Sequence, residues 1–350
     1  MKQLRIVQIG VGFWGWSWVQ VALDLSQWEL VGIVEKSEEN RTRAAEHYGF
    51  TEGQVFDSLE RAIRALEPDA AMVIVGAEAH RDVTIEALEG GLHCIVEKPM
   101  ALTIDDAREM VAAAERAGRK LMVSQNYRFK RAPQTIKTFL RKGIIGDVGS
   151  VFVNFQKAPQ ITGSRLEIDE PLITDMAIHH FDQMRNLLGA DPAWVFAHSW
   201  NTSWSRFRGN PVATVLFEMD NGAVITYSGS WVSQGWETPW DGDWCIRGSD
   251  GELRWTRNET AFRTTNLSQE VYTKGALERG GELTLDLIDM PEEDRWASLG
   301  EFARAIHEDR EPETSGRDNL ATLAMMIGAC QSIEERRPVT MKEVLEGNSS

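Results

Sequence analysis

The chain has 350 residues, a formal net charge of −16 at pH 7, 42% apolar residues and 26% charged residues. These values are ordinary for a soluble globular protein, and the length suffices for two domains. The acidic balance argues against a broad nucleic-acid-binding surface, which requires a basic face, and no run approaches the ~20 apolar residues of a membrane span.

The N-terminus and the cysteines indicate the compartment. The chain enters a predicted strand at Leu4, which leaves no room for a signal peptide. Cys94, Cys245 and Cys330 are far apart and lack the spacing of metal ligands, as expected for thiols in a reducing compartment. We therefore expect a cytoplasmic protein with no membrane or nucleic-acid partner and no metal site.

A glycine-rich turn follows the first predicted strand. The apolar run 4–9 predicts a buried strand, the segment GVGFWG at 10–15 has the spacing G-x-G-x-x-G, and the apolar-rich segment 16–25 predicts a helix. This order places exposed N–H groups and the positive end of a helix dipole together, which is the arrangement that binds a dinucleotide pyrophosphate. The predicted cofactor contacts in this turn are Gly10, Gly12, Phe13, Trp14 and Gly15.

A carboxylate ends the second predicted strand. Residues 30–34 predict that strand, and Glu35 follows it twenty positions after Gly15. A Rossmann unit places there the acid that accepts hydrogen bonds from the adenosine ribose, and its charge favours NAD over NADP. Lys36 leaves NADP open, since a neighbouring cation can hold a 2′-phosphate, although a solvated surface lysine is the simpler interpretation.

The rest of the first 124 residues alternates strands with helices. Strands are predicted at 70–75, 92–96 and 120–124, and helices at 37–48, 57–66, 80–90 and 103–117. Thr103 is a typical N-cap and Gly118 a typical helix stop. Alternation of this kind predicts a parallel sheet covered on both faces, that is, an α/β Rossmann domain over residues 1–124.

Residues 125–350 have a different pattern. Helices are predicted at 133–142, 171–188, 294–308 and 317–335, and strands at 148–156, 212–218, 223–231 and 244–247. Asn221-Gly222 between two apolar runs is a strong hairpin signal. This half is therefore predicted to be an α+β domain with a mostly antiparallel sheet.

Two clusters carry candidate chemistry. Glu97-Lys98-Pro99 ends the strand 92–96, and ligands of open parallel sheets bind outside the carboxyl ends of strands. A lysine beside a bound nicotinamide is placed to stabilise an alkoxide; the alternative is a surface lysine before a turn.

In the second cluster, Asp175, His179 and Asp182 share one face of the predicted helix, and His180 points off that face. A neutral histidine suits proton abstraction from an alcohol. A polar helix stripe and a metal site are the alternatives, and the spacing does not fit a known metal motif.

These motifs occur in the order found in the Gfo/Idh/MocA oxidoreductase family, which includes glucose–fructose oxidoreductase and inositol 2-dehydrogenase, and the chain resembles that family over almost its whole length. The motifs that carry the resemblance are 10–15, Glu35, 97–99, 126–129, Gly143-x-x-Gly146, Asp175-x-x-x-His179-x-x-Asp182 and 337–339.

The resemblance implies a Rossmann domain with a bound NAD(P) and a second, α+β domain that binds substrate and forms a homodimer or homotetramer through its large open sheet. It implies hydride transfer at a carbinol carbon of a sugar, sugar derivative or cyclitol. Lys98, Asp175 and His179 match the catalytic residues, and Asn126, His80, Glu97 and Lys98 match residues near the cofactor. We expect substrate contacts from Lys98, Tyr127, Arg128, Asp175, His179 and Trp236.

The chain departs from the family pattern at two places. Val75 and Gly76 stand where Thr-Pro is common, next to the cofactor pocket, and the segment 171–174 replaces a glycine-rich stretch at the substrate entrance. Neither departure removes a catalytic group, but both discourage transfer of any one member's substrate.

The chain has 13 tryptophans, most of them in the second half. Sheet packing or a subunit interface explains most of them. The loop-like segment 236–241 is the exception, because it could cap an active site.

Two other functions remain open. The same lysine and histidine would serve NAD-assisted glycoside cleavage or elimination without net redox change. A nucleotide-sensing regulator without catalysis also exists in this family, but the intact Lys98, Asp175 and His179 argue against that role.

Overall fold

The computed structural model describes residues 2–257, 259–265 and 283–347, and the chain divides into two compact units. The first unit comprises residues 1–129 and 292–323, and the second comprises residues 130–291 and 324–350. The first unit thus includes residues 292–323, which the predicted linear division at 124/125 assigns to the second domain. In the described part of the chain, no helix is long and apolar enough to cross a bilayer.

The first unit is built on a parallel six-stranded sheet in the order β3-β2-β1-β4-β5-β6. Its strands are β1 Leu4–Ile9, β2 Trp28–Val34, β3 Val55–Phe56, β4 Ala70–Val73, β5 His93–Val96 and β6 Leu121–Val123. Its helices are α1 Phe13–Asp24, α2 Glu38–Tyr48, α3 Leu59–Leu66, α4 His80–Glu89 and α5 Ile104–Ala117, followed late in the chain by a helix over Asp294–His307. The predicted Rossmann domain is confirmed.

Local sequence signals account for most of these elements. The Thr103 side chain accepts a hydrogen bond from the Asp106 N–H at the start of α5, and Gly118 ends that helix in the left-handed region at φ 60°. The two-residue strand β3 is absent from the predicted elements because two residues are too short for a periodic pattern.

Over its described residues, the second unit has nine strands in one sheet, in the order β14-β13-β12-β11-β7-β10-β9-β8-β15. Its strands are β7 Val148–Gln156, β8 Pro192–Trp200, β9 Val212–Met219, β10 Val224–Ser230, β11 Asp243–Gly248, β12 Gly251–Thr256, β13 Glu259–Thr264, β14 Leu283–Thr284 and β15 Val339–Thr340. The pair β7/β10 is parallel and the other pairs are antiparallel, so the predicted mostly antiparallel sheet is confirmed. Among the described residues of this unit, the helices are α6 Arg131–Arg141, α7 Ile178–Leu188 and Met341–Glu346, and a helix over Gly316–Glu335 contributes its second part.

The hairpin signal at Asn221-Gly222 is confirmed. Gly222 lies in the left-handed region at φ 84°, and β9 and β10 pair antiparallel on either side of it, with Glu218 opposite Val224. A side chain at this φ would be strained, which is why glycine is the usual residue in such turns.

The segment predicted as one helix over 171–188 has two parts. Leu172–Ala177 forms a π-helical turn, and α7 follows from Ile178 to Leu188. A π turn widens the backbone spiral, so Asp175 and His179 do not have the simple α-helical spacing that the pattern predicted.

Helix α7 covers one face of the large sheet. Phe181 packs edge-on against Phe217 and Tyr227, with ring centroids 4.9 and 5.6 Å apart. On the strands, buried and exposed residues alternate, and large exposed side chains on β7 and β8 are Phe152, Phe196 and Trp200. Of the tryptophans in this unit, Trp231, Trp244 and Trp255 are buried, whereas Trp204, Trp236 and Trp240 are exposed.

Candidate active site

The glycine turn sits where β1, β4 and α1 approach one another. A Cβ on Gly10, whose φ is 90°, would lie 2.3 Å from the carbonyl oxygen of Ile74, and a Cβ on Gly15 would lie 2.4 Å from the carbonyl oxygen of Gly10. These two glycines are therefore required for close packing. Gly12 is different, because a Cβ there meets no atom within 4 Å. The open space at Gly12, at the N-terminus of α1, fits a pyrophosphate.

A buried glutamine holds the turn in place. Gln8 Nε2 donates to the carbonyl oxygens of Gly10 and Gly15, at 2.9 and 2.7 Å. The sequence pattern did not single out this residue, because a glutamine inside an apolar strand has no local signal for such a role.

Glu35 at the end of β2 is tied to the same turn. Its Oε2 accepts a hydrogen bond from the Val11 N–H at 3.0 Å, and its Oε1 accepts one from the Ser37 N–H at 2.9 Å. The carboxylate is thus held beside the segment expected to carry the pyrophosphate. Lys36 is exposed to solvent.

The aromatic side chains of the turn differ in exposure. Phe13 is 92% exposed and Trp14 is 51% exposed. The Trp14 indole N–H donates to Glu97 Oε1 at 3.0 Å, and the Trp18 indole N–H donates to the same oxygen at 2.8 Å. Two indoles from α1 therefore orient a carboxylate at the end of β5.

The second carboxylate oxygen of Glu97 holds the backbone N–H of Lys98. Glu97 Oε2 accepts the Lys98 N–H at 3.0 Å, and the following Lys98–Pro99 peptide bond is cis. Arg295 covers this arrangement: its guanidinium carbon lies 4.9 Å from the Trp14 ring centroid, and its Nη1 donates to Ser17 Oγ at 2.6 Å. Local sequence patterns contain no signal for Arg295, because it is nearly 300 positions from the turn.

His80 lies under the same loops and is buried. Its Nδ1 is 2.7 Å from the carbonyl oxygen of Pro99, and its Nε2 is 3.3 Å from that of Val75. Burial lowers the pKa of His80, so the ring is neutral at pH 7 and carries one N–H. The shorter contact assigns that proton to Nδ1, and His80 thereby shapes the cofactor loops from beneath.

The segment Asn126–Phe129 forms a short turn with buried polar contacts. Asn126 Nδ2 donates to the carboxylate of Asp294. Arg128 is buried and pairs with Asp318 at 2.9 Å, while Tyr127 is half-buried. The guanidinium of Arg128 thus contacts protein in this structure, and a role for Tyr127 and Arg128 in substrate binding stays a prediction.

In the second unit, the π turn and α7 carry Asp175 and His179. The Asp175 carboxylate pairs with Arg165, whose guanidinium carbon lies 5.7 Å from the ring centroid of Trp231. His179 and Asp182 are buried. π turns are frequent at functional sites, which agrees with a functional role for this segment. Arg165 was not predicted, since the short 3-10 turn Gly163–Glu167 that carries it has no periodic sequence pattern.

His180 differs from its neighbour in its surroundings. Its Nε2 is 2.9 Å from the carbonyl oxygen of Trp240, and its Nδ1 is 3.2 Å from the Tyr227 hydroxyl oxygen. Since a carbonyl only accepts, Nε2 carries the proton and Nδ1 accepts from the tyrosine. Burial lowers the pKa of His180 to about 4, so the ring stays neutral and holds the loop of Trp240. Trp236 in that loop is 99% exposed. Among the described residues, no group of three or more His, Cys, Asp or Glu is arranged to hold a metal ion.

Comparison with known proteins identifies related chains. Residues 4–125 match the model of the Gfo/Idh/MocA oxidoreductase family with an NAD-binding Rossmann fold, and residues 133–254 match that of the Gfo/Idh/MocA C-terminal domain. The D-apiose dehydrogenase of Paraburkholderia graminis is 27% identical over 354 residues, which cover 98% of this chain and 91% of that protein. The 1,5-anhydro-D-fructose reductase of Ensifer adhaerens is 28% identical over 316 residues, which cover 88% of this chain and 89% of that protein.

A solved structure has the same fold. The crystal structure of an oxidoreductase from Agrobacterium radiobacter in complex with NAD+, L-tartaric acid and magnesium matches with a TM-score of 0.86 at 22% identity, over 97% of this chain and 99% of that one. This likeness shows the fold, and the match of residues 4–125 to the family model identifies the first unit as an NAD-binding Rossmann fold.

Proposed function

Because the chain belongs to the Gfo/Idh/MocA oxidoreductase family, we propose that it is an NAD-dependent dehydrogenase that transfers a hydride between nicotinamide and a carbinol carbon of a sugar, sugar derivative or cyclitol. The names of its relatives, a D-apiose dehydrogenase and a 1,5-anhydro-D-fructose reductase, support a sugar as the substrate class.

One observation carries the proposal: the nucleotide-binding turn is bonded to the catalytic candidate Lys98 through a single carboxylate. Trp14 from the turn donates to Glu97 Oε1, and Glu97 Oε2 accepts the backbone N–H of Lys98. A lysine fixed in this way beside a dinucleotide site is suited to act on a substrate oxygen next to the nicotinamide.

The residues of the turn fit the cofactor. Gly12 leaves space at the N-terminus of α1, whose N–H groups would bind the pyrophosphate, and Glu35 would accept hydrogen bonds from the adenosine ribose. Phe13 and Trp14 would line the rest of the cofactor site, and the buried His80 and Asn126 would support it from beneath. Bound NAD supplies the hydride acceptor. The negative charge of Glu35 favours NAD, because a 2′-phosphate would meet like charge there.

The chemical roles follow from residue type and from the family resemblance. His179 takes the hydroxyl proton, Lys98 stabilises the negative charge that develops on the substrate oxygen, and Asp175 orients the substrate or the imidazole. His180 is unsuited to the proton transfer, because both its ring nitrogens are engaged by Tyr227 and Trp240 and burial disfavours its charged form.

We further propose a homodimer or homotetramer formed through the large sheet. The exposed side chains of Phe152, Phe196 and Trp200 support this, because apolar groups of this size are favourable at subunit interfaces. Light scattering coupled to size exclusion would give a dimer or tetramer mass; a monomer at micromolar concentration would contradict this assembly.

The experiment that tests the function is a cofactor-reduction screen. NAD and NADP are supplied separately with a panel of aldoses, inositols, sugar acids and glycosides, and reduced nicotinamide is measured by its absorbance, with His179→Ala as the matched control. We expect NAD reduction with at least one sugar or cyclitol, and loss of the signal in the variant. Release of an aglycone from a glycoside without net NAD reduction would contradict the dehydrogenase proposal and favour NAD-assisted glycoside cleavage.

A further inference from the structure

The second unit contains a cavity of about 480 Å³ beside the loop that His180 holds. Its lining includes Lys130, Lys157, Glu237, Trp240, Asp241 and Arg257. The volume falls within the range of about 300–1,000 Å³ that is typical of small-molecule sites. The cavity is therefore large enough for a sugar-sized ligand.

The charges that line the cavity do not cancel. Lys130 Nζ pairs with Asp241 at 2.8 Å, and Lys157 Nζ pairs with Glu237 at 2.7 Å, so each lysine has a carboxylate partner within the lining. Arg257 is the remaining charged residue, and its side chain makes no ion pair or hydrogen bond with the described residues. The lining thus carries an excess positive charge at Arg257.

The backbone at Arg257 is held in an unusual conformation. Its φ is 55°, in the left-handed region that residues other than glycine rarely adopt. The Trp255 indole N–H donates to the Arg257 carbonyl oxygen at 2.6 Å and so anchors this residue. Arg257 directly follows β12, and Thr256 pairs with Glu259 at the start of β13, so the positive φ is the one that a tight hairpin connection requires.

Trp240 supplies an aromatic wall. Its side chain is 45% exposed, and Lys157 Nζ lies 5.4 Å from its ring centroid. Its carbonyl oxygen is bonded to His180, the neighbour of His179 on α7. The aromatic wall of the cavity is therefore fixed to the helix that carries the proposed proton acceptor.

We propose that this cavity binds an anionic group, a carboxylate or a phosphate, on the sugar substrate, with Arg257 as its counter-ion and Trp240 as the apolar wall; this rests on the proposed function and narrows the substrate to an acidic sugar. A guanidinium is suited to the task because its fork of N–H donors matches two oxygens of a carboxylate or phosphate.

Isothermal titration calorimetry of the enzyme saturated with NADH, which cannot accept a hydride from the sugar, tests this assignment. The probes are D-glucuronate and D-glucose 6-phosphate, each compared with neutral D-glucose, and D-galacturonate compared with D-galactose. We expect at least one anionic probe to bind about 10–100-fold more tightly than its neutral partner, the size of a charge-assisted hydrogen bond, and increasing salt to reduce this preference. Preference for the uronates identifies a carboxylate site, and preference for the sugar phosphate identifies a phosphate site.

Matched variants test whether the preference for anionic probes depends on Arg257. Arg257→Gln should abolish the preference and Arg257→Lys should retain part of it, while Arg254→Gln, at an exposed arginine on β12 that pairs with Glu252, should leave it unchanged. Failure of every anionic probe to bind more tightly than its neutral partner would overturn the proposal, as would equal effects of Arg257→Gln and Arg254→Gln. Because binding is read without turnover, this outcome is independent of whether the cofactor-reduction screen finds dehydrogenase activity.

Discussion

The glycine turn of the first unit and the histidine-bearing segment of the second unit are built in different ways. The turn is made mainly by backbone groups that follow one another in the sequence, with Gln8 and Glu35 bonded to it from adjacent strands. The segment over 172–188 depends on groups outside it: the Arg165 side chain pairs with Asp175, and the Tyr227 hydroxyl and the Trp240 backbone carbonyl contact His180. A site formed by consecutive backbone groups can be predicted from the local sequence. A site formed by side-chain partners depends on the tertiary structure and cannot be predicted in this way.

The largest expected effect is the loss of kcat when either catalytic candidate, His179 or Lys98, is replaced. His179→Ala and Lys98→Ala should each lower kcat by about 10²–10⁴, the range for loss of general acid–base or electrostatic assistance. Steady-state kinetics with the substrate found in the screen measures this. A variant of either residue with nearly wild-type kcat would remove it from the mechanism.

His180 provides the contrast within the same helix. Its pKa is about 4 in the folded protein and about 6.5 when unfolded, so between these pH values the unfolded chain binds more protons and the free energy of unfolding falls as pH falls. The stabilisation that comes from keeping His180 neutral is fully present above about pH 6.5. About 3 kcal/mol of the free energy of unfolding is lost when the pH falls to about 4.

Urea unfolding at several pH values measures this pH dependence in the wild type and in His180→Gln. The glutamine keeps hydrogen-bonding groups but does not titrate. The variant should lose less stability on acidification than the wild type and should affect kcat much less than His179→Ala. If His180→Gln abolishes turnover while His179→Ala remains active, the assigned roles of the two histidines are reversed.

The difference between the two regions explains what the sequence could predict. The Rossmann elements, the Thr103 cap, the hairpin at Asn221-Gly222 and the antiparallel sheet follow from short-range patterns. The partners of Glu97 and Asp175 do not follow from such patterns: Trp18 is 79 positions from Glu97, and Arg165 lies in a 3-10 turn of five residues. The π turn at Leu172–Ala177 also escaped prediction, because apolar periodicity does not distinguish it from the start of an α-helix.

The preference for NAD over NADP tests whether the Glu35 carboxylate repels the 2′-phosphate of NADP. Glu35→Ser should narrow the preference for NAD over NADP by about five- to tenfold, which corresponds to ~1 kcal/mol between unit charges about 4 Å apart in water. Kd values for both cofactors measure the change, and Glu35→Ser combined with Lys36→Ala reports whether Lys36 then meets the phosphate. Tighter binding of NADP than NAD by the wild type would contradict the assignment.

A stability comparison distinguishes the two indoles that donate to Glu97. Trp14→Phe removes a donor from a half-exposed ring and should lower the free energy of unfolding by about 1 kcal/mol, whereas Trp18→Phe removes one from a fully buried ring and should cost about 2 kcal/mol. Urea unfolding of the matched pair compares them. Equal or reversed costs would mean that the two hydrogen bonds do not differ as their burial indicates.

Titration of NAD into the wild type, Gly12→Val and His179→Ala tests most directly whether the first unit holds the cofactor and the second supplies the proton acceptor. The Gly12 backbone has φ −66° and a Cβ there meets no atom, so the variant should fold and yet fill the space meant for the pyrophosphate. We predict that Gly12→Val weakens NAD binding about 10–100-fold, from an overpacking cost of about 1–3 kcal/mol, while His179→Ala leaves the Kd for NAD nearly unchanged. Unchanged NAD affinity in Gly12→Val, or a comparable loss in His179→Ala, would contradict this division of roles.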